Sequence, residues 1–475
     1  MSRLRTSLKW LYPGMHVKRW VALAFCGLLI FLVGIGIITQ AHAPSSKPLA
    51  VRVADWVVHN THVGLRPGTL GVILAGTGAL LCLIALGKLI SSLTIVLDPE
   101  MAHGGLVDVV YQRRKLSQGR RIVVIGGGTG LSTMLRGLKQ YTGNITAIVT
   151  VADDGGSSGK IQKQLNILPP GDIRNCLVAL ADAEPQMTEL FQYRFRNSVM
   201  PPDAANGVSG SAAAPVAAAV TARAAEGNDG AHVPANIGSN YGEGLRDHAF
   251  GNLLIAAMTA INGGDFERAI QETSRVLNIR GRVLPATVTH VRLRGEMEDG
   301  SILDGETAIA TSPLKIKRIS LVPANACPVD DVLEAIAQAD VIVLGPGSVF
   351  TSIIPNLLVR GIPEAIRRSK ARKVYVCNVM TQPGETDGFS AYDHIQAIER
   401  HAQQRIFDYV LVNTGRPSQE LLEKYRKTHS VLVEPDIDRI KRANYRPIAG
   451  NFISQTDVVR HDAGLLAAAI MRLLH

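Results

Sequence analysis

A run of glycines follows a short apolar segment about a quarter of the way along the chain. Residues 121–125 read RIVVI, and Gly126-Gly127-Gly128-Thr129-Gly130 follows directly. A tight glycine turn lets backbone N–H groups approach a phosphate, and a helix behind it adds a positive N-terminus. Leu131 stands where a dinucleotide fingerprint needs its last glycine, which disfavours NAD, and no Lys-Ser/Thr pair completes a Walker loop. A glycine-rich turn without a ligand is the alternative.

A second polar loop follows a second apolar run, at 145–151. It reads Asp153-Asp154-Gly155-Gly156-Ser157-Ser158-Gly159. In a parallel sheet this loop and the first one meet at the carboxyl edge, where ligands of open α/β sheets bind. Two adjacent carboxylates can coordinate Mg²⁺ or accept a ribose hydroxyl, and the Gly and Ser residues offer donors to phosphate. Asp153 and Asp154 are therefore the candidate metal ligands and the candidate catalytic residues. The alternative is a solvated acidic turn.

A third loop follows the apolar run at 340–344. Gly345-Pro346-Gly347-Ser348 opens it, and Thr351 and Ser352 follow. The hydroxyls could hydrogen-bond an anion at a helix start, or could merely cap the helix. Two strand-glycine-helix junctions fit a ligand with more than one phosphate, or with a phosphate and a second anionic group. Asn378 and Thr381 repeat the pattern after a later strand, without a clear helix start.

Four more polar residues stand at the starts of predicted helices. Arg174 and Asn175 follow a rigid Pro-Pro-Gly turn and either reach a phosphate or base, or stand behind a plain N-cap at Asp172. His248 and Asn252 are four residues apart and share one helix face. A lone His is usually structural, but its position at a helix start also fits a contact to a base or sugar.

Strands alternate with helices from Arg121 to the C-terminus, which is typical of a mostly parallel sheet covered on both faces. We therefore predict an α/β, Rossmann-like, doubly wound domain over 121–475. The predicted strands are 121–125, 145–151, 283–291, 315–321, 340–344, 373–378 and 409–413. The predicted helices are 131–140, 173–183, 250–261, 266–277, 329–339, 394–403 and 463–474.

The stretch at about 197–244 departs from this rhythm, since it is rich in Ala, Gly, Ser, Pro and Asn. It has too few large apolar side chains to offset the entropy of ordering, so we interpret it as a flexible insertion, with a lid over the site as the alternative. Residues 98–120 form a predicted linker, because their end is basic and polar.

Two apolar segments within residues 1–97 predict a membrane anchor. Residues 21–39 and 68–87 carry no charged side chain, and each is long enough to cross about 30 Å of hydrocarbon. Five Lys or Arg residues lie on each outer flank, against three between the segments. This asymmetry predicts a multi-pass hairpin in the cell membrane, with the body in the cytoplasm. A signal peptide cleaved after Ala43 is the alternative, and Pro44 disfavours it.

Composition narrows the function classes further. The net charge is +10, but the basic clusters flank the apolar segments, and no RNA-binding or zinc-finger pattern appears. We therefore predict no nucleic-acid partner. The five cysteines form no Cys-x-x-Cys pair, which disfavours a zinc site or disulfide framework and fits a reducing compartment.

Several motifs together resemble the bacterial gluconeogenesis-factor family, which is CofD-like and shares its fold with the 2-phospho-lactate transferases of deazaflavin coenzyme synthesis. The resemblance covers about Arg121 to the end. It is carried by GGGTGLS at 126–132, TVADDGGSSG at 150–159, PPGDIRNCLVALAD at 169–182, LFQYRF at 190–195, GPGSVFTSIIPNLL at 345–358, NVMTQPGET at 378–386 and DHI at 393–395.

The resemblance implies binding of a UDP-sugar, notably UDP-N-acetylglucosamine, and a regulatory role in cell-wall synthesis and cell shape. The resemblance places Tyr425 and Arg460 in the region that is expected to bind the nucleotide sugar. A Mg²⁺-dependent phospholactate-type transferase is the alternative, and Mg²⁺ is the one cofactor candidate. We expect a homo-oligomer, a membrane contact through the N-terminal helices, and proteins of cell-wall synthesis as partners.

Overall fold

The computed structural model describes residues 17–40, 67–97, 114–182, 185–195, 245–454 and 458–474. The chain divides into two compact units, Met1–Arg114 and Lys115–His475. The predicted insertion at 197–244 lies outside the described residues, and so does the part of the predicted linker from 98 to 113. Residues 114–117, the next part of that linker, form one helical turn.

The first unit contains two long apolar helices, as the sequence predicts. They are α1 (Val17–Gln40) and α2 (Pro67–Leu97). Arg19–Thr39 and Gly68–Leu89 are long and apolar enough to cross a membrane, with mean hydropathies of 2.9 and 2.3. Helix α2 continues ten residues past the predicted end at Gly87, because residues 88–97 contain neither Gly nor Pro to end it.

Glycines bring α1 and α2 into close backbone contact. A Cβ on Gly34 would lie 2.4 Å from the Ala75 nitrogen, and one on Gly78 would lie 2.4 Å from the Phe31 nitrogen. Small residues let helix backbones approach where lipid gives no hydrophobic drive for association. The large side chains of both helices, such as Phe25 and Leu83, are exposed on the outside of the pair. This distribution suits a hairpin surrounded by lipid.

Widening the glycine contact should separate the two helices. Gly34→Val puts branched atoms against the α2 backbone, whereas a Cβ at Gly36 meets nothing within 4 Å. A Cβ at Gly27 would lie 2.9 Å from the Cys82 sulfur, so a Gly27→Cys, Cys26→Ser background can report pairing as a disulfide. We expect Gly34→Val to reduce the yield of that disulfide by roughly half or more, and Gly36→Val to leave it unchanged. Equal yields would contradict the glycine contact.

A seven-stranded parallel sheet forms the centre of the second unit, in the order β10-β9-β8-β7-β1-β2-β3. This confirms the α/β, Rossmann-like prediction. The chain runs outward from β1 through β2 to β3, then returns to the other side of β1 at β7. The strands are β1 (Ile122–Gly126), β2 (Ile145–Val149), β3 (Arg282–Pro285), β7 (Val341–Leu344), β8 (Arg372–Val376), β9 (Tyr409–Asn413) and β10 (Arg446–Gly450).

Helices cover this sheet. The first six of them lie between β1 and β3 in the sequence. They are α3 (Gly128–Leu138), α4 (Gly156–Leu165), α5 (Gly171–Leu180), α6 (Pro185–Gln192), α7 (Phe250–Ile261) and α8 (Phe266–Val276). The later ones are α9 (Glu306–Ala310), α10 (Asp330–Gln338), a π turn (Val349–Ile353), α11 (Ile354–Leu357), α12 (Ile362–Arg368), α13 (Ala391–Ala402), α14 (Gln419–Arg426), α15 (Ile437–Arg442) and α16 (Ala463–Arg472).

A separate three-stranded antiparallel sheet departs from the prediction. It has the order β5-β4-β6, with β4 (Arg292–Met297), β5 (Ile302–Asp304) and β6 (Ile316–Val322). The strand predicted at 315–321 belongs here, not to the parallel sheet. The strand predicted at 283–291 ends at Pro285, which has no N–H to continue a ladder. The turn at Gly300, with φ of +83°, reverses the chain between β4 and β5.

Several more elements differ from the expectation, among them the helices α6, α12 and α15, which the sequence did not predict. Helix α4 begins inside the polar loop at Gly156, where the sequence predicts only a loop. The edge strand β10 was not predicted either, because RPIAG has little alternation and is half-exposed. The buried core is continuous from β3 to β9. Its central strands β1 and β7 are buried along their whole length, as strands covered on both faces are, whereas β3 and β8 begin with the charged residues Arg282 and Arg372.

Candidate functional site

The two glycine loops meet at the point where the strand order reverses. Strands β1 and β7 are neighbours there, although 214 residues separate their ends in sequence. A Cβ on Gly130 would lie 2.6 Å from the Pro346 carbonyl oxygen, and one on Gly347 would lie 3.2 Å from the Gly127 oxygen. A Cβ on Gly126 would lie 3.8 Å from the Gly345 Cα atom. Such a switch point is where open α/β sheets bind ligands.

Helix α3 begins in this crevice without a side-chain cap. Its N-cap is Gly127, and Gly128 follows with φ of +67°. The Asp172 carboxylate, from the first turn of α5, accepts the Gly128 N–H. A Cβ on Gly127 would lie 2.5 Å from the Asp172 Oδ2 atom. An anionic side chain therefore already lies at the N-terminus of α3. Asp172 is not the N-cap that the sequence allows, because the N-cap of α5 is Pro170.

Asp172 belongs to an acid cluster, which we define as Asp153, Asp172 and Glu306. Asp153 accepts the Gly155 N–H at 2.9 Å and the Ser158 hydroxyl, and it shares a hydrogen bond with the Glu306 carboxyl. Burial and then the neighbouring Asp153 raise the pKa of Asp172 to about 7. Burial likewise raises the pKa of Asp153, and burial and Asp153 raise that of Glu306 well above its ordinary value. The cluster therefore favours a proton or a cation.

The two adjacent aspartates do not face the same partners. Asp154 Oδ1 accepts the Thr307 N–H at 2.9 Å and the Thr307 hydroxyl at 2.8 Å. These bonds tie the β2 loop to the start of α9. Of the pair, only Asp153 lies in the acid cluster. In the part of the chain that the structure describes, no group of three or more His, Cys, Asp or Glu side chains could hold a metal ion.

The hydroxyls after β7 are engaged by a buried carboxyl. Ser348 accepts the Thr351 N–H at 3.2 Å and so caps the π turn. Its own hydroxyl donates to Glu385, and Thr351 donates to Ser348 at 2.8 Å. Burial raises the pKa of Glu385 to about 7, although these hydroxyls counteract it. Capping and carboxyl binding therefore use both hydroxyls, and Pro346 and Gly347 contribute to the crevice through their backbone.

Asn378 and Ser352 lie against the glycines that form the same crevice. The Asn378 amide accepts the Gly347 N–H at 3.2 Å and donates to the Gly347 oxygen at 2.9 Å. Ser352 is buried, and its Cβ lies 3.4 Å from the position of a Cβ on Gly127. Thr381 lies farther along, where its hydroxyl accepts the Val431 N–H at 3.0 Å. Thr381 thus connects two loops through a hydrogen bond.

A polar cluster joins the starts of α4 and α7. The Ser157 hydroxyl lies 3.2 Å from His248 Nδ1, accepts the Ala249 N–H at 3.2 Å, and accepts from Asn252 Nδ2 at 3.0 Å. His248 and Asn252 are buried. Gly156, with φ of +48°, lets α4 start beside them. Arg174 and Asn175 lie next along α5, where the Arg174 Nη2 donates to Asn175 Oδ1 at 2.8 Å.

Two of the predicted site residues lie apart from these contacts. Tyr425 packs on Val379 and Val459, and its hydroxyl accepts the Val459 N–H at 3.1 Å. Arg460 interacts electrostatically with Arg136, in the last turn of α3, about 12 Å along the helix from its glycine start. Thr129, by contrast, lies in the first turn of α3 at the crevice, where it is exposed and its carbonyl accepts the Ser132 hydroxyl at 2.9 Å.

Sequence reasoning missed three residues of the site. Glu306 follows a turn of the antiparallel sheet, and nothing local marks its approach to Asp153. Glu385 lies in the motif at 378–386, but its isolated carboxyl gave no reason to expect burial. Asn356 Nδ2 donates to the Gly126 oxygen at 3.0 Å and to the Ser352 oxygen at 2.7 Å. The sequence signal for Asn356 was its position as a polar residue inside the apolar run 353–358.

Removing the Asn356 amide should loosen the crevice. Asn356 has no exposed surface, so Asn356→Ala leaves the Gly126 carbonyl without its side-chain donor. We expect the free energy of unfolding to fall by about 1–3 kcal/mol, measured by denaturant titration. Asn262→Ala, which removes a half-buried amide bond to Met258 within a helix end, is the matched control and should cost less. An Asn356→Ala chain as stable as the control would contradict the role.

Comparison with known proteins shows the family to which the chain belongs. The family model described as "2-phospho-L-lactate transferase CofD" matches residues 122–453. A Nostoc sp. protein named "Putative gluconeogenesis factor" is 42% identical over 99% of this chain and 94% of its own length. The "Gluconeogenesis factor" of Bacillus subtilis is 41% identical over 76% of this chain and 99% of its own. The chain therefore belongs to the CofD family, in the group of the gluconeogenesis factors.

A solved structure matches the second unit. It is the crystal structure of a member of the UPF0052 family from Bacillus halodurans, with a TM-score of 0.63 and 46% sequence identity. The match covers 74% of this chain and 99% of that one. The match therefore spans nearly all of that chain and about three quarters of this one.

Proposed function

We propose that this chain is a membrane-tethered regulator that binds a UDP-sugar, with UDP-N-acetylglucosamine as the first candidate, and that it controls cell-wall synthesis and cell shape. One observation carries the proposal. Two strand-glycine-helix junctions touch at the switch point of the sheet, with Gly130 against Pro346 and Gly347 against Gly127. A diphosphate is the ligand class that such paired junctions suit best.

The diphosphate would lie on the open start of α3. The first-turn N–H groups of Thr129 and Gly130 have no partner inside the helix, as in every α-helix. Their dipole favours negative charge, and the N-cap, Gly127, has no side chain to occupy the space, so the ligand would lie beside the Asp172 carboxylate. Asn378 holds the facing Gly347 peptide in place. The protein therefore contributes positioned backbone donors, and the sugar and base extend from them along the crevice.

We further propose that Mg²⁺ accompanies the diphosphate. Its negative charge would otherwise meet the acid cluster, and the donor chemistry fits, because Mg²⁺ prefers oxygen ligands and is often held by one or two carboxylates with phosphate oxygens. Asp153 and Glu306 would hold the ion, and Asp172 would lie beside it. The ion would supply charge neutralisation between ligand and protein.

A calorimetric titration of the full chain in detergent tests the binding proposal. The panel is UDP-N-acetylglucosamine, ADP-glucose and GDP, each with and without Mg²⁺. We expect the UDP-sugar to bind in the micromolar range, about −8 kcal/mol, and more weakly without Mg²⁺. Failure of every UDP-sugar to bind would refute the proposal.

The membrane tether and its orientation form a separate proposal. The chain has two helices that are long and apolar enough to span a bilayer, and basic residues flank both outer ends. Deleting residues 1–97 should therefore move the protein from the membrane fraction to the soluble fraction. In spheroplasts, external protease should leave the body of the full chain intact. Digestion of the body from outside would contradict a cytoplasmic orientation.

A transferase is the second candidate function, and the Asp153–Glu306 carboxyl pair favours it. Two hydrogen-bonded carboxyls that share a proton can hold Mg²⁺ or move a proton while a phosphoryl-linked group is transferred. Metal-dependent turnover of a nucleotide-activated phospholactate donor, lost in Asp153→Asn and kept in Asp154→Asn, would support it. Absence of turnover with intact binding would leave regulation as the function.

A further inference from the structure

Arg372 and Arg446 converge on the hydroxyl of Tyr409 at the amino ends of three neighbouring strands. The Arg372 Nη1 donates to the Tyr409 hydroxyl at 3.3 Å, and the Arg446 Nη1 donates to it at 3.0 Å. The two arginines are the first residues of β8 and β10, and Tyr409 begins β9 between them. Both arginines are exposed. Two positive charges therefore meet at one oxygen on the surface, where an anion would relieve their repulsion.

These arginines belong to a basic patch, which we define as the eight Lys and Arg residues of 367–373 and 441–446. Seven of the eight are exposed. None of them forms an ion pair with a carboxylate in the part of the chain that the structure describes. Elsewhere at the amino ends of the strands, Arg280, Arg282 and Arg405 do form such pairs. The charge of the basic patch is therefore not compensated within these residues.

The whole amino edge of the parallel sheet is positive. The segments that lead into its strands hold fifteen Lys or Arg residues against two Asp residues, and they are 114–121, 141–144, 278–282, 338–340, 367–373, 403–408 and 441–446. That excess is larger than the net charge of the whole chain, +10, so the rest of the chain is net negative. The acid cluster lies at the opposite, carboxyl edge. An anionic surface would therefore attract one edge of the sheet and repel the other.

The chain that follows the apolar helices enters the second unit at this amino edge. Residues 114–117 form one helical turn, and β1 begins at Ile122. Sixteen residues separate the end of α2 at Leu97 from Arg114, and a segment of that length extends over at most about 55 Å. A tether this short keeps the amino edge at a high local concentration near lipid headgroups, so individually weak contacts suffice to hold it there.

We propose that the basic patch binds the anionic headgroups of the membrane, so that the ligand crevice at the carboxyl edge faces away from the lipid. The inference rests on the proposed membrane tether. Anionic lipids attract clustered Lys and Arg side chains that lie near the bilayer surface. A guanidinium also pairs with phosphate oxygens through two parallel hydrogen bonds, and Arg372 and Arg446 each use one donor on Tyr409.

The tyrosines of the amino edge favour lipid over nucleic acid as the partner. Proteins that bind single-stranded nucleic acid present aromatic faces on which bases stack. The Arg446 guanidinium lies 5.5 Å from the centre of the Tyr409 ring, and that of Arg405 lies 4.2 Å from the centre of the Tyr445 ring. A guanidinium thus already occupies a face of each ring. Tyr141 is exposed at the same edge, and tyrosine is enriched where a membrane meets water.

Lysine acetylation of the full chain in lipid nanodiscs tests this inference. Discs of phosphatidylcholine alone are compared with discs that contain about a third of phosphatidylglycerol, and an uncharged succinimidyl ester labels the lysines. We expect the anionic discs to slow the labelling of Lys370 and Lys441 by about threefold or more, and about 0.5 M salt to remove the difference. Lys160, on α4 beside Asp247, is the internal control and should be labelled equally in both discs.

A pair of double variants locates the contact. Arg372→Gln with Arg446→Gln should restore the labelling of Lys370 and Lys441 in anionic discs to at least about half of the rate in neutral discs. Arg268→Gln with Arg416→Gln removes the same charge from two exposed arginines outside the amino edge and should keep the slow labelling. Equal rates in the two double variants would overturn the assignment to the basic patch.

Each other outcome overturns a defined part of the proposal. Equal labelling in the two discs, by a chain that elutes with both, overturns the lipid contact and leaves the membrane tether intact. A chain that does not elute with the discs overturns the tether and the lipid contact together. Slow labelling that persists in high salt overturns an electrostatic contact. Protection of Lys370 and Lys441 by RNA added to neutral discs, without an effect of anionic lipid, assigns the basic patch to nucleic acid and overturns the inference.

Discussion

Asp172→Asn should tighten the binding of a UDP-sugar about tenfold at pH 8 when divalent cations are chelated. The Asp172 carboxylate accepts the Gly128 N–H at the start of α3, where the diphosphate would lie. Its pKa is about 7, so at pH 8 it is mostly ionised and repels the ligand, whereas at pH 6 it is mostly protonated. Asparagine keeps a hydrogen-bond acceptor there without the charge.

The pH dependence of ligand binding tests the direction of this prediction. The wild-type affinity should fall as pH rises from 6 to 8, because binding of an anion favours the protonated carboxyl. The diphosphate diester keeps its charge over this range, so the change belongs to the protein. Asp172→Asn should remove most of the dependence, and Asp182→Asn, which affects only an exposed ion pair with Arg280, should not. A variant that binds more weakly than wild type at pH 8 would contradict the arrangement.

The acid cluster also predicts how stability changes with pH. The folded-state pKa of Asp172 lies above its ordinary value of 3.8, so the folded chain holds a proton that the unfolded chain releases. The contribution of Asp172 to the free energy of unfolding should therefore fall as pH rises from about 4 through 7, whereas buried His461, whose pKa is lowered to about 4, adds stability as pH rises. At pH 8, Asp172→Asn should be more stable than wild type by about 1–2 kcal/mol, a figure reduced for solvent screening because Asp172 is half-buried. A stability difference between wild type and Asp172→Asn that does not change between pH 4 and pH 8 would contradict the raised pKa of Asp172.

Gly130→Ala should have the second large effect and abolish binding of the nucleotide ligand. Gly130 lies in the first turn of α3, where alanine would ordinarily favour the helix by about 1 kcal/mol. Its Cβ would instead lie 2.6 Å from the Pro346 oxygen and 2.9 Å from the carbonyl carbon, both backbone atoms that cannot yield without moving the second loop. We expect the affinity for UDP-N-acetylglucosamine to fall by about a hundredfold or more, as calorimetry would measure.

Gly126→Ala is the matched control within the same motif. Its Cβ would meet nothing closer than 3.7 Å, which is ordinary van der Waals contact, and its φ is not positive. We expect its affinity to stay within about threefold of wild type. Equal losses in the two variants would mean that the motif acts through flexibility alone. Circular dichroism of Gly130→Ala distinguishes lost binding from lost folding.

The sequence predicted those parts of the fold that depend on local pattern. The apolar runs at 122–126 and 341–344 are buried parallel strands, and the uncharged segments at 21–39 and 68–87 are long helices. Both are continuous apolar runs. A strand that is buried on both faces requires such a run, and so does a helix that crosses lipid. The antiparallel sheet was missed as a unit, because strands 292–297 and 302–304 are short and mostly exposed on one face.

The glycine loops of the site were predictable from the sequence. The contacts between residues that are far apart in the chain were not. The loops after β1 and β7 were recognisable, since each joins a strand to a helix through glycines. The separation of Asp153 from Asp154 was not, because their partners Glu306 and Thr307 come from another sheet. Likewise Ser348 looked like an anion donor until the buried Glu385 was found against it. Tertiary packing, not local pattern, decides which polar atoms remain free.

The account's central claim is that a nucleotide sugar binds where the glycine loops after β1 and β7 meet. Hydrogen–deuterium exchange of the full chain, with and without saturating UDP-N-acetylglucosamine and Mg²⁺, tests it most directly. The account predicts that ligand slows amide exchange at 127–132 and 345–353, with no such change in Gly130→Ala. Protection confined to other segments, or identical exchange at these loops with and without a ligand that calorimetry shows to be bound, would contradict it.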